Sequence, residues 1–179
     1  MAKMQITKGH TDDWPSLYSM DASSNSDYSY KVEISRSSDR YGIDLSRFRL
    51  PRTMGLSYPK DKATLLNQLS AAEVVLVGKI QNEAIAFACL DGKAYLDTVQ
   101  VTDLVVMGNA RLNGIGTILL VAAEKWALER KLHRLFMAIP LRNDPMISLA
   151  RKLGYSFCGF MASYFLTGED ALFYEKRIG

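Results

Sequence analysis

Between an apolar run that ends at Val106 and another, "TILLVAAEKWAL", that starts at Thr117, the chain reads Arg111-Leu112-Asn113-Gly114-Ile115-Gly116. Two glycines where a buried strand hands over to a long helix cost backbone entropy. The position must therefore need a tight turn, close packing, or a ligand against bare backbone. Backbone N–H groups converge at a helix N-terminus, so the chemistry on offer is anion binding, above all of phosphate. A P-loop requires a lysine directly after its last glycine, and none follows Gly114 or Gly116. A dinucleotide fingerprint requires a third glycine where Leu119 stands, and a place early in a βαβ unit rather than after three antiparallel strands. What remains is an Arg-x-x-Gly-x-Gly turn between a strand and an amphipathic helix.

A second stretch with site-like spacing lies downstream. "NDPMISLARKLG" (143–154) offers Asn143 or Asp144 as a helix N-cap, Pro145 in the first turn and Gly154 at the stop. "RLNGIG" and "NDPMISLARKLGYSFCGF", in this order and at this separation, resemble the GNAT superfamily of acyl-CoA-dependent N-acyltransferases. The family's loop reads Arg or Gln, two residues, Gly, one residue, Gly or Ala, and its Asn-led helix ends in Leu-Gly-Phe/Tyr. The resemblance covers residues 72–178, with a looser fit to 30–36.

That resemblance implies acetyl-CoA as co-substrate, its pyrophosphate lying on Arg111, Leu112, Asn113, Gly114, Ile115, Gly116 and Thr117. A side chain at 114 or 116 would push the phosphates off the backbone, while Arg111 adds charge or braces the loop. It also implies pantetheine pairing like an added strand with Leu104, Val105 and Val106, where a backbone N–H polarises the acetyl carbonyl. Asn143 would touch the cofactor arm, with plain helix capping as the competing role.

The family's acid and base are missing from their usual places. Thr102 and Gln100 stand where a Glu or His would face the cleft, and neither is a base. Asp103 is the nearest carboxylate; strict alternation turns it to the other face, and a strand bulge would re-aim it. Ala150 replaces the Tyr expected four residues before Gly154, which leaves water, Tyr155 or Tyr164 to donate a proton. Asp103 and Tyr164 are therefore the catalytic candidates. Asp97, Asp103 or Glu169 could attract a cationic amine.

Several elements must position these residues. "YKVEISR" (30–36) alternates as a strand with one wet face, and 43–50 reads as a strand that Pro51 stops. "DKATLLNQLSA" (61–71) is a short helix. Strands follow at 73–80, 83–90 and 94–106, with hairpin turns at Gln81-Asn82 and at "DGK" (91–93). A helix over about 114–130 buries Ile115, Leu119, Ala122 and Trp126. Strand 134–140 then pairs parallel with 94–106, because a helical crossover joins them. "YSFCGFMASYFL" and "ALFYEKRI" form a closing hairpin. Residues 1–29 read as an irregular segment and 30–179 as one domain. The fold class is α/β (α+β), GNAT-like, with a single mixed, mostly antiparallel sheet flanked by helices on both faces.

With 179 residues, 48% apolar and 23% charged, the chain has the composition of a globular domain, and a net charge of +3 gives no reason to expect nucleic acid or membrane as partner. Cys89 and Cys158, each flanked by apolar or aromatic residues, read as buried free thiols of a cytoplasmic protein. His10 and His133 stand apart from each other and from the cysteines, so no metal site is expected. The function implied by the resemblance is acetyl transfer from acetyl-CoA to a primary amine of a small molecule or peptide by direct attack. "ALFYEKRI" and the N-terminal strands are similar to the streptothricin-acetyltransferase type. An acyl-CoA-binding module without catalysis is the alternative, a nucleotide-binding protein the third reading, and a homodimer is compatible with either of the first two.

Overall fold

Alternating apolar positions decide which segments enter the sheet. The computed structural model describes residues 4–58 and 60–179. Its central sheet has seven strands: β1 (Gln5–Lys8), β4 (Val74–Ile80), β5 (Glu83–Tyr95), β6 (Thr98–Val106), β7 (Arg134–Pro140), β8 (Ser156–Met161) and β9 (Ala171–Arg177), in the order β1-β4-β5-β6-β7-β9-β8. Every pairing is antiparallel except β6 with β7, where the helical crossover enforces parallel strands. Among the described residues no helix is long and apolar enough to cross a membrane.

Helices cover both faces. On one side α1 (Trp14–Tyr18) and α2 (Lys62–Ala71) bury Leu17, Leu65 and Leu69 against Val77, Phe87 and Val105. On the other, α3 (Ile115–Glu129) and α4 (Asp144–Lys152) set Leu119, Trp126 and Ile147 against Val99, Val101 and Leu135. The α3 stripe differs by one residue from the expected one: Ala123 is fully buried and Ala122 only partly, because the stripe follows the true helical period.

A second sheet stands beside the first. β2 (Ser24–Arg36) and β3 (Tyr41–Leu56) form a two-stranded ribbon. Its middle is anchored by the buried Tyr30 and by Arg47, which holds both carboxylate oxygens of Asp144 at 2.7 and 2.9 Å and stacks on Tyr28. Pro51 does not stop β3. The register passes from Ser26↔Met54 to Tyr28↔Arg49, so Pro51 sits in a bulge where its missing N–H costs no ladder bond.

Three other expectations change. The segment 1–29, of which 1–3 lie outside the described residues, is not irregular: β1, a 3-10 turn at Thr11–Asp13, α1 and the start of β2 occupy it. An edge strand needs little more than backbone pairing, and Leu17 pins the helix, so polar composition hides both. The second hairpin turns at Leu96-Asp97, with Asp97 at φ 54°, not at 91–93. Gly92 serves a close approach instead: its N–H donates to Glu73, and a Cβ there would lie 2.9 Å from that carboxylate. Lastly, Cys89 is buried and free, whereas Cys158 is exposed on the edge strand β8.

Leu119 is fully buried where α3 meets the sheet. Leu119→Ala should cost about 2–5 kcal/mol in urea denaturation, and a loss below about 1 kcal/mol would contradict its place in the core.

Candidate active site

β6 and β7 pair only at Thr98↔Arg134, Val99↔Leu135 and Gln100↔Phe136, and then part. Beyond Gln100 one edge of β6 has no strand beside it. The Met107 N–H donates to Ile85 O on the β5 side. By strand alternation the backbone groups of Thr102, Leu104 and Val106 therefore face the gap. Two of their carbonyls are taken by side chains: Thr102 O accepts from Lys60 Nζ at 3.2 Å, and Val106 O accepts from Arg111 Nε at 2.8 Å. Leu104 lies between these two cations.

The expected bulge is present. Leu90 pairs with Val101 but Cys89 with Asp103, so Thr102 is the extra residue. It inverts the alternation. Val101 faces the α3/α4 core, whereas Val105 joins the α1/α2 core and Asp103 turns the same way. The Asp103 carboxylate is fully buried there. Lys60 Nζ reaches its two oxygens at 2.7 and 2.8 Å, and the Tyr58 hydroxyl donates to one of them. Burial, and then the adjacent carboxylate, push the Tyr58 phenol well above its usual range; burial does the same to the Cys89 thiol.

The two loop glycines have different reasons. Gly114 is the N-cap of α3 at φ 78°, in open space, so backbone conformation alone requires it. Gly116 has an ordinary φ, but a Cβ there would lie 2.9 Å from Leu149 Cδ2 and 4.0 Å from Leu104 Cδ2, inside the cleft. Asp61 caps α2 and Asn143 caps α4, each accepting a backbone N–H, at 2.7 and 3.1 Å. Among the described residues no side chain caps α3, and its first turn holds no acid. The amides of Ile115, Gly116 and Thr117 precede the first intrahelical bond, from Ile118 to Gly114, and have no acceptor within the helix.

These features line one cleft of about 640 Å³. Leu104, Val105, Val106, Arg111, Leu112, Gly114, Ile115, Gly116, Thr117 and Asn143 all face it, and Asp103 lies at its floor. Asn113 does not line it; its amide turns back to Ala110 O and Arg111 O. Arg111 braces the loop through Val106 O and, at 3.4 Å, Asp21 O. The lining carries Lys60, Arg111, Arg142 and Lys152 against Asp103 and Glu169, an excess of positive charge suited to an anionic ligand.

Several candidates fall elsewhere. Tyr164 belongs to the loop between β8 and β9, not to a strand; it packs on Phe173 and on Phe165, and of these three rings only Phe165 lines the cleft. Tyr155 is buried in the core and does not line the cleft either. Asp97 sits at the other end of β6, bonded to His133. Glu169 does line the cleft, with Arg142 at 3.8 Å. Ala150 is fully buried in the core. Tyr58 and Lys60 were not expected; their one sequence signal is their place just before the Asp61 cap.

Residues 44–155 match the acetyltransferase (GNAT) family. A streptothricin acetyltransferase from Streptomyces lavendulae is 30% identical over 91 residues, 49% of this chain and 48% of that protein, so the match spans about half the relative's length. The crystal structure of a nourseothricin acetyltransferase superposes over 98% of this chain and 99% of its own, with a TM-score of 0.83 at 19% identity. A Bacillus anthracis structure, of a candidate streptothricin acetyltransferase in complex with acetyl coenzyme A, gives 0.79 at 18% identity over 98% of this chain and 100% of its own. The fold is that of the acyl-CoA-dependent N-acetyltransferases. This chain belongs to the acetyltransferase (GNAT) family.

Tyr58 and Cys89 keep their protons in the folded protein beyond the ordinary values of 10.0 and 9.0. As pH rises, the unfolded chain releases those protons first, so stability falls from about pH 9 upward. The urea midpoint should drop between about pH 8 and about pH 11; a constant midpoint would contradict the burial of both groups.

Proposed function

We propose that this chain transfers the acetyl group of acetyl-CoA to a primary amine, and that the cleft holds the cofactor on the α3/α4 side and the amine on the α1/α2 side. The observation that carries this reading is the uncapped N-terminus of α3, bared by Gly114 and Gly116, at the mouth of a gap with an unpaired strand edge. The amides of Ile115, Gly116 and Thr117 grip the diphosphate. Arg142 and Lys152 add positive charge along the same wall. Leu104 offers its N–H to the thioester oxygen, in the manner of an added strand, where charge grows as the amine attacks. Asn143, already committed to capping α4 through its Oδ1, touches the cofactor arm with its amide group.

Asp103 is a positioning group in this scheme. With Lys60 on both its oxygens and Tyr58 on one, it holds two polar side chains beside the strand edge. The acceptor enters past the start of β2 and the end of β3, where Ser24, Gly55 and Leu56 line the cleft. Glu169, whose buried Oε1 makes no hydrogen bond among the described residues and has Arg142 at 3.8 Å, is the second carboxylate of the lining and draws a cationic amine. The match to a streptothricin acetyltransferase supports an aminated antibiotic of that kind as the acceptor. Two free cysteines are consistent with a reducing, cytoplasmic setting.

Thiol release from acetyl-CoA, followed with streptothricin, aminoglycosides, polyamines and peptide N-termini in turn, tests the reading. Turnover should require one class of amine; cofactor binding with no turnover on any would instead favour an acyl-CoA-binding module. Gly116→Trp should fold, because its Cβ meets only the flexible ends of the Leu149 and Leu104 side chains. It should nevertheless lose roughly tenfold or more in acetyl-CoA affinity by calorimetry, about 1.4 kcal/mol. Unchanged binding would remove the cofactor from this cleft.

A further inference from the structure

Lys60 occupies an unusual place for a lysine. Its side chain is 18% exposed, its ammonium lies in the cleft, and its donors go to Thr102 O and to both oxygens of the fully buried Asp103. Thr102 O and the Leu104 N–H are successive groups on the same unpaired edge of β6, so the ammonium sits one backbone step from the N–H assigned to the thioester oxygen. It approaches from the α1/α2 side, opposite the mouth of α3. A primary amine in that position, with a carboxylate against it, is what an acceptor would present.

We infer that Lys60 is itself an acceptor, and that the chain acetylates the Lys60 Nζ from bound acetyl-CoA when no external amine fills the cleft. This rests on the cofactor placement proposed above. One ammonium proton passes to Asp103, and rotation about the last side-chain bond turns the freed lone pair to the strand edge. Nζ then forms a bond to the acetyl carbonyl carbon, and the carbon–sulfur bond breaks. The departing sulfur takes a second proton from the nitrogen, and Asp103 releases the first to solvent. The products are an Nζ-acetylated Lys60, free CoA thiol and one proton. An external amine competes by displacing the ammonium from Asp103.

Ordinary chemical acetylation follows exposure, which separates the two routes. Lys125 and Lys31 have side chains 80% and 63% exposed, against 18% for Lys60. The full chain would be incubated with acetyl-CoA and no amine, then mapped by peptide mass spectrometry. Lys60 should be acetylated roughly tenfold or more faster than Lys125 or Lys31, at a rate per molecule independent of protein concentration, as an intramolecular step requires. Gly116→Trp should lose the acetyl at Lys60 and keep the slow background at the exposed lysines. Lys60→Arg should still bind acetyl-CoA by calorimetry and carry no rapid modification. Acetyl-CoA bound to the wild-type chain with Lys60 unmodified, or modified no faster than Lys125, overturns this inference alone. Failure to bind acetyl-CoA at all overturns both it and the proposed function.

Discussion

A strand inside a folded protein must have its N–H and C=O groups satisfied, and β6 is denied a partner on one edge along the last two-thirds of its length. Three pairs join it to β7 before the two diverge. The exposed edge would be an unsatisfied row if nothing else met it. Lys60 and Arg111 each take one of its carbonyls, one from the loop before α2 and one from the loop before α3. Between them on the same edge lies Leu104. The remaining architecture keeps that gap open: the seven-stranded sheet holds β6 through β5, the β9–β8 hairpin holds β7, and the helices on the two faces wall the cleft.

The same logic governs the helix beside the gap. Where α2 and α4 satisfy their first amides with Asp61 and Asn143, α3 begins on a glycine that has no side chain to offer. Gly114 gives the backbone its left-handed turn, and Gly116 lets α3 lie close to Leu149 and Leu104 without filling the space between. An edge without a strand and a helix without a cap, facing one cleft lined by four cations, fit a long anionic ligand carrying amide groups along its arm.

Much of this was legible from spacing. Gln81-Asn82 is a hairpin turn with both residues at positive φ, 51° and 67°, and β7, α4 and the parallel β6–β7 pairing fall where periodicity and crossover chirality require. Local patterns failed where tertiary contacts decide. Gly92 looks like a turn glycine until Glu73, nineteen residues away, is seen against it. Pro51 looks like a terminator until the bulge opposite Asp27 absorbs it. The Asp103 side chain could be oriented only by knowing that Thr102 is bulged, and its partners Tyr58 and Lys60 lie more than forty residues upstream. No periodicity links residues so far apart. Tyr164 was misplaced for the opposite reason: an aromatic-rich run suggests a strand, yet β8 ends at Met161.

The central claim concerns particular backbone amides, so backbone NMR tests it most directly. Titrating acetyl-CoA into the labelled chain should shift the amide resonances of Leu104, Ile115, Gly116 and Thr117 and slow their hydrogen exchange. Perturbations confined to other regions, with those four amides unchanged at saturation, would contradict the account.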